Sequence, residues 1–383
     1  MTEGVFLGPT EEHPLFAFTG TVGAMSELRL GVIGTGMMGC EHIRNVNALP
    51  GATITAVSDP NEVPLGWARD NLGDRASEVL FFRDHRDLLA SGVVDAVIVA
   101  SPNHTHASVL ADVLSSDVPV LVEKPLCTTV EDCVTVARLA AARSAITWVG
   151  LEYRYMAPIA ALLDVVRSGE LGDLKMFSIR EHRFPFLVKV DNWNRFSRNT
   201  GGTLVEKCCH FFDLMNLAVG GRPSRVYASG GQDVNHLDEF YDGERSDILD
   251  NAYVIVDYDN GVRASLDLCM FAEGGRNEQE IVAVGSRGKV ETALPGDGHV
   301  HVGNRADRSV RSVPAVMDTS VAHAGFHFGA SYVEVARFCE AVRHGAPAEV
   351  GVSDGLWSVA VGAAAHRSIA EGRPVMLSEF DAG

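Results

Sequence analysis

The 383-residue sequence has no uninterrupted apolar run approaching the roughly 20 residues needed to cross a bilayer. Its most apolar stretch, Val93–Ala100, already contains Asp95. A membrane span is therefore not expected. Positive charge is also short: 32 Lys and Arg stand against 50 Asp and Glu, a formal net charge of −18 that would repel a phosphate backbone. Nucleic acid is excluded as an expected partner. No basic residue precedes Arg29, so the cationic and then apolar order of a secretory leader is missing, and a cytoplasmic protein is expected. The seven cysteines form an odd set with no C-x-x-C pair, which favours reduced thiols used as small apolar residues over a disulfide framework. Low-complexity bias and internal repeats are absent. With 46% apolar and 21% charged residues, the composition is that of a soluble globular protein.

The chain is about twice what one compact core usually organises, so two domains are expected. Residues 1–26 follow neither helical nor strand period and read as an N-terminal extension. From residue 27 to 150, short apolar runs alternate with helix-compatible stretches. The runs are Leu28–Ile33, Ala52–Val57, Val79–Phe82, Asp95–Ala100, Val118–Val122 and Ile146–Val149. That alternation predicts an α/β domain with a doubly wound parallel sheet. Between 151 and 383 the strands follow one another closely, with a D-N-G hairpin signal at Asp259–Gly261. A mainly antiparallel sheet with a few helices is expected there, and the two C-terminal helical stretches, Ser331–Val342 and Asp354–Glu371, are expected to pack back toward the first domain.

Leu28–Ile33 runs into G-T-G-M-M-G at Gly34–Gly39, and a helical pattern follows. A G-x-G-x-x-G loop is weak evidence alone. Between a strand and a helix, with Asp59 twenty residues after its last glycine, it is the fingerprint of dinucleotide binding. Gly34 would allow the tight turn, Gly36 the approach of a pyrophosphate and Gly39 close helix packing, with Met37 and Met38 on the same turn. Asp59 would take the adenosine ribose hydroxyls and oppose a 2′-phosphate, which favours NAD over NADP. Two further clusters follow strand ends, where an open α/β sheet holds ligands: S-P-N-H-T-H, with Ser101, Asn103 and His106, and E-K-P, with Glu123 and Lys124.

With a later run, G-G-T-L-V-E-K-C-C-H-F-F-D-L at Gly201–Leu214, these motifs make residues 28–375 similar to the Gfo/Idh/MocA family of nicotinamide-dependent oxidoreductases. The resemblance implies that Lys124 lies beside nicotinamide and substrate, that Pro125 follows a cis peptide, and that the Ser101–His106 stretch borders the cofactor. Glu206, His210 and Asp213 are spaced i, i+4 and i+7 and would share one helix face. The family usually has Asp and then His at the first two of these positions, a pair that readies the imidazole to take the alcohol proton. Here Glu206 adds a methylene, and Cys208 stands where a small Gly is usual.

Glu206, Cys209 and His210 also invite a zinc reading, but Cys208 and Cys209 would point about 100° apart on a helix. No second cluster has zinc spacing, and no metal is expected. Substrate-wall candidates, besides Lys124 and His210, are Glu152, Tyr153 and Arg154 after the last strand of the first domain, His182 and Arg183, and Trp193 and Arg195 in a polar loop. The function expected is NAD-dependent oxidation of a secondary hydroxyl on a cyclitol, sugar or sugar derivative. A sugar ketoreductase using NAD or NADP is the alternative enzyme. A dinucleotide-sensing regulator without turnover is the alternative of another class, and the presence of Lys124 and His210 argues against it. The second sheet would offer one face to a second copy, giving a homodimer or homotetramer.

Overall fold

The computed structural model describes residues 27–317, 319–325 and 327–380, so the expected extension over residues 1–26 lies outside the described residues. The first part of the chain runs β1 (Leu28–Ile33), α1 (Met37–Ala48), β2 (Ala52–Ser58), α2 (Glu62–Leu72), β3 (Leu80–Phe82) and α3 (His85–Ala90). It continues with β4 (Ala96–Val99), α4 (His106–Leu114), β5 (Val120–Glu123), α5 (Val130–Ala141) and β6 (Thr147–Gly150). The six strands form one parallel sheet in the order β3-β2-β1-β4-β5-β6. Every residue of β4, β5 and β6 is buried, because helices cover both faces, and this is why these strands read as apolar runs without alternation. The strand order reverses between β1 and β4, which opens a crevice at their C-terminal ends.

The second part begins with α6 (Ala157–Arg167), β7 (Leu174–His182), α7 (Ser197–Thr200), α8 (Thr203–Glu206), α9 (Cys209–Val219) and β8 (Pro223–Gly231). A two-stranded ribbon, β9 (Phe240–Tyr241) and β10 (Glu244–Arg245), precedes β11 (Asn251–Tyr258), β12 (Arg263–Cys269), β13 (Gln279–Gly285) and β14 (Gly288–Leu294). Then come β15 (His299–Asn304), β16 (Val310–Pro314), α10 (Ala330–His344), α11 (Val352–Glu371) and β17 (Val375–Met376). Nine of these strands form a sheet in the order β16-β15-β14-β13-β7-β12-β11-β8-β17. Only the β7–β12 pair is parallel. The D-N-G signal is the β11–β12 turn, with Gly261 at φ +83°.

Strands of this sheet alternate, as one-sided burial requires. On β11, Ala252, Val254 and Val256 are buried while Tyr253 and Ile255 stand out on the other face. Helices α9 and α11 cover the buried face, and α11 also packs on α5 and β6 of the first sheet, while α10 packs on α1. The C-terminal helices thus bridge the two sheets and hold the crevice of the first against the α8–α9 segment of the second. Strands β15, β16 and β17 and the β9–β10 ribbon are not anticipated from the sequence pattern: β16 is exposed and polar, and β9, β10 and β17 have two residues each. No described helix is long and apolar enough to cross a membrane.

Candidate active site

The glycine loop closes around main chain. Gly34 has φ +88°, and a Cβ there would sit 2.5 Å from Ser101 N, so β1 can approach the end of β4 only with glycine. A Cβ on Gly39 would fall 2.0 Å from Gly34 O, whereas one on Gly36 would meet nothing within 4 Å. Gly36 therefore faces open space, where α1 begins without a side-chain cap and without an acidic residue in its first turn. Unengaged N–H groups and the positive end of the helix dipole suit a pyrophosphate there. Met37 and Met38 are half-buried on this turn. Asp59 Oδ2 accepts Thr35 N at 2.9 Å and Thr35 Oγ1 at 3.4 Å, and Oδ1 accepts Asn61 N at 2.9 Å, so the acid latches the glycine loop while Oδ1 keeps a lone pair. Beside Ser101, the buried Asn103 Nδ2 has no partner, a donor left for a ligand. These residues fit a dinucleotide.

His106 and Glu123 are turned inward. The ring nitrogens of His106 lie on main-chain carbonyls, Nδ1 2.8 Å from Pro125 O and Nε2 3.0 Å from Ser101 O, so the side chain ties the β4 loop to the β5 loop. Glu123 Oε1 lies 2.6 Å from His42 Nε2, and Oε2 accepts Lys124 N at 3.2 Å. Both support the crevice from behind.

The Lys124–Pro125 bond is cis. Lys124 Nζ donates to the main-chain oxygen of Glu206 at 3.1 Å, which joins the end of β5 to α8. Burial pulls this ammonium down, but Cys209, Glu152, Glu206 and Glu123 outweigh it and hold the group above the usual lysine value. Lys124 is therefore a standing cation rather than the depressed amine that lysines in such sites often become. Burial also pushes Glu206 up to about 7, against the pull of Lys124, Lys189 and Arg195.

The helix expected to carry both Glu206 and His210 is broken: α8 ends at Glu206 and α9 begins at Cys209. The carboxyl group facing His210 is that of Glu152, whose Oε2 lies 3.8 Å from Nδ1. Tyr153 stacks flat on the imidazole, centroids 3.9 Å apart and planes 8° from parallel, and its hydroxyl accepts from Lys207 at 2.8 Å. Burial first, and then Lys124, Lys207, His327 and Arg183, push His210 well below the usual imidazole value. It is a neutral ring in a cationic setting.

Other expected wall residues divide. Trp193 meets the edge of His104, with centroids 6.1 Å apart, and so reaches the β4 loop. Arg195 is held by Glu239 at 2.9 Å, with Nη1 buried and unpartnered. Arg183 lies over the Phe184 ring and 3.6 Å from Glu181. Arg154 has a different task from the one the sequence suggests: its guanidinium grips Asp213 on α9, 2.7 Å from Nε, and Asp354 on α11, 3.0 Å from Nη2. It locks two helices together. His182 lies on the open face of the second sheet, 3.1 Å from Asp267, because the alternation of β7 gives the buried side to Glu181.

Sequence reasoning missed four residues of the site. Glu181 sits 3.0 Å from Lys207, itself buried, and the signal for both was a charged residue at a buried position of a strand and of the G-G-T-L-V-E-K run. Lys189, drawn below the usual amine value by burial, faces Glu206 and Lys124. His327 reaches Glu152 from a segment with no pattern to mark it.

The oxidoreductase family model for an NAD-binding Rossmann fold matches residues 28–151, and the family's C-terminal alpha/beta domain matches residues 164–377. Myo-inositol 2-dehydrogenase of Thermotoga maritima is 26% identical over 359 residues, 92% of this chain and 99% of that protein. Inositol 2-dehydrogenase 1 of Saccharopolyspora erythraea is 26% identical over 362 residues, 92% of this chain and 97% of the other. The solved structure of levoglucosan dehydrogenase in complex with NADH and levoglucosan superposes with a TM-score of 0.79 at 20% identity, covering 91% of this chain and 99% of that one. Since the two domain models take in almost all of the chain from β1 to β17, the protein belongs to the Gfo/Idh/MocA family of NAD-binding oxidoreductases.

Proposed function

We propose that the protein is an NAD-dependent dehydrogenase that oxidises a secondary hydroxyl of a cyclitol, sugar or sugar derivative. The observation that carries this reading is the 3.1 Å contact of Lys124 Nζ with Glu206 O, which sets a cation from the first sheet beside the segment bearing the neutral, buried His210. Inositol and levoglucosan, the compounds in the relatives' names, support a polyhydroxylated substrate.

In oxidation, Nε2 of His210 takes the hydroxyl proton, since Nδ1 is turned toward Glu152. Lys124 orients the oxygen and steadies the charge that develops on it. NAD, when bound, supplies the acceptor for the hydride that leaves the same carbon. The glycine loop and Asn103 would hold it, with Asp59 at the ribose. Trp193, Arg183, Lys189 and Arg195 supply a ring face and donors suited to several hydroxyls. Reduction uses the same groups in reverse. The open face of the nine-stranded sheet is the surface on which we infer a second copy packs, giving a homodimer or homotetramer.

A panel of cyclitols and sugars, each with NAD and with NADP, tests the reading through absorbance of the reduced nicotinamide. At least one compound should be turned over, faster with NAD. No reduction with any of them would contradict it.

A further inference from the structure

Oxidising an alcohol at an enclosed site leaves behind a proton that has to reach water. The His210 side chain is only 2% exposed, so a proton taken up at Nε2 has no direct contact with bulk water. Its other nitrogen points inward. Nδ1 lies 3.8 Å from Glu152 Oε2, a gap of the kind that closes when a site without ligand becomes a reacting one. Glu152 is also 2% exposed and presents its second oxygen, Oε1, 3.3 Å from Nδ1 of His327. His327 stands in the segment leading into α10, with its side chain 22% exposed, and Ser331 Oγ lies 3.1 Å from the same nitrogen. A buried carboxyl, neither of whose oxygens has a hydrogen-bond partner, thus lies between an imidazole at the cleft and one that reaches the surface.

We propose that Glu152 and His327 form the exit by which the substrate's proton leaves the dehydrogenase site. This rests on His210 being the base. As hydride departs the carbon with its electron pair, the hydroxyl proton goes to His210 Nε2 and the Nδ1 proton passes to Glu152 Oε2. The proton on Oε1 moves to His327 Nδ1, and His327 Nε2 gives one to water. One proton enters the chain and one leaves it; carboxyl rotation and ring exchange after product departs restore the starting tautomers. Both are positioning residues, because neither touches the reacting carbon.

The electrostatics set what each group carries at rest. Burial and Glu123 push Glu152 up to about 8, against Lys124 and Lys207, so at neutral pH it holds a proton to hand on. Glu334 on α10 also faces Glu152, beside His210 and His327, and Glu123 and Glu41 act on His327. Burial, Lys124 and Lys207 push His327 down to about 4, so it carries the extra proton only in passing.

Stopped-flow single turnovers followed in two channels, reduced nicotinamide and a pH indicator, test the exit. In the wild type, proton release should keep pace with hydride transfer. In His327→Ala and His327→Gln, release should lag at least ten-fold, with NAD affinity and thermal midpoint unchanged, and added imidazole should remove the lag. Release that keeps pace in both variants, or a lag that imidazole leaves in place, would overturn the exit. A wild type that reduces no NAD with any polyol fails in the first channel and removes the dehydrogenase reading and the exit together. In cofactor-free protein, infrared spectra should show a protonated-carboxyl band that is present below about pH 8, disappears above it, and is missing from that transition in Glu152→Gln. The same band in Glu152→Gln would overturn the carboxyl's part.

Discussion

Burial alone would strip charge from both Lys124 and Glu206, and each keeps the other charged. The sign of that coupling can be followed in a pH profile. Glu206 takes on negative charge as pH rises through about 7, and this charge raises the Lys124 value. Glu206→Gln removes the charge, Lys124 loses its proton at lower pH, and the alkaline limb of kcat/KM should move to lower pH. A limb that stays in place would mean that Glu206 does not tune the lysine. The sequence spacing shows Lys124, Glu206 and His210 but not their arrangement. The helix breaks at Lys207 and Cys208 with no glycine or proline to announce it, and Glu152 and His327 come to His210 through tertiary packing from distant segments.

The glycine loop separates what the fold needs from what the ligand needs. A Cβ at Gly39 collides with Gly34 O, so Gly39→Ala should cost about 1–3 kcal/mol as overpacking and lower the thermal midpoint by several degrees. Gly36, at φ −69°, accepts alanine without strain and without a clash. Gly36→Ala should therefore keep the wild-type midpoint while weakening NAD at least ten-fold in calorimetric titration, since its methyl group enters the pyrophosphate path. Equal NAD affinity in this variant would move the cofactor elsewhere. Elements such as β1, β4 and β5 were legible because burial on both faces forces a continuous apolar run. Val310–Pro314 was not, because an edge strand facing water carries little apolar signal, and His299–Asn304 beside it buries only Val300 and Val302.

Across the whole molecule, two features follow from pairing a covered sheet with a half-covered one. Tyr253 and Ile255 of β11, 67% and 48% exposed, stand beside Tyr227 of β8, which pairs with Ile255, on a face that no described helix covers. An apolar patch of this kind marks an association surface. Light scattering at micromolar concentration should give a multiple of the 41.1 kDa chain, and Ile255→Lys should shift it toward a single chain; a monomer in the wild type would contradict the second copy. The other feature is the site itself, built by bringing the end of β5 to the start of α9. The most direct measurement is turnover and NAD affinity in Lys124→Ala and His210→Ala. Each should lose about 10²–10⁴ in kcat, the usual worth of positioned acid–base help, while binding NAD within a few-fold of the wild type. Wild-type turnover in His210→Ala, or loss of NAD binding in both variants, would contradict a site in which these two side chains act on one substrate oxygen.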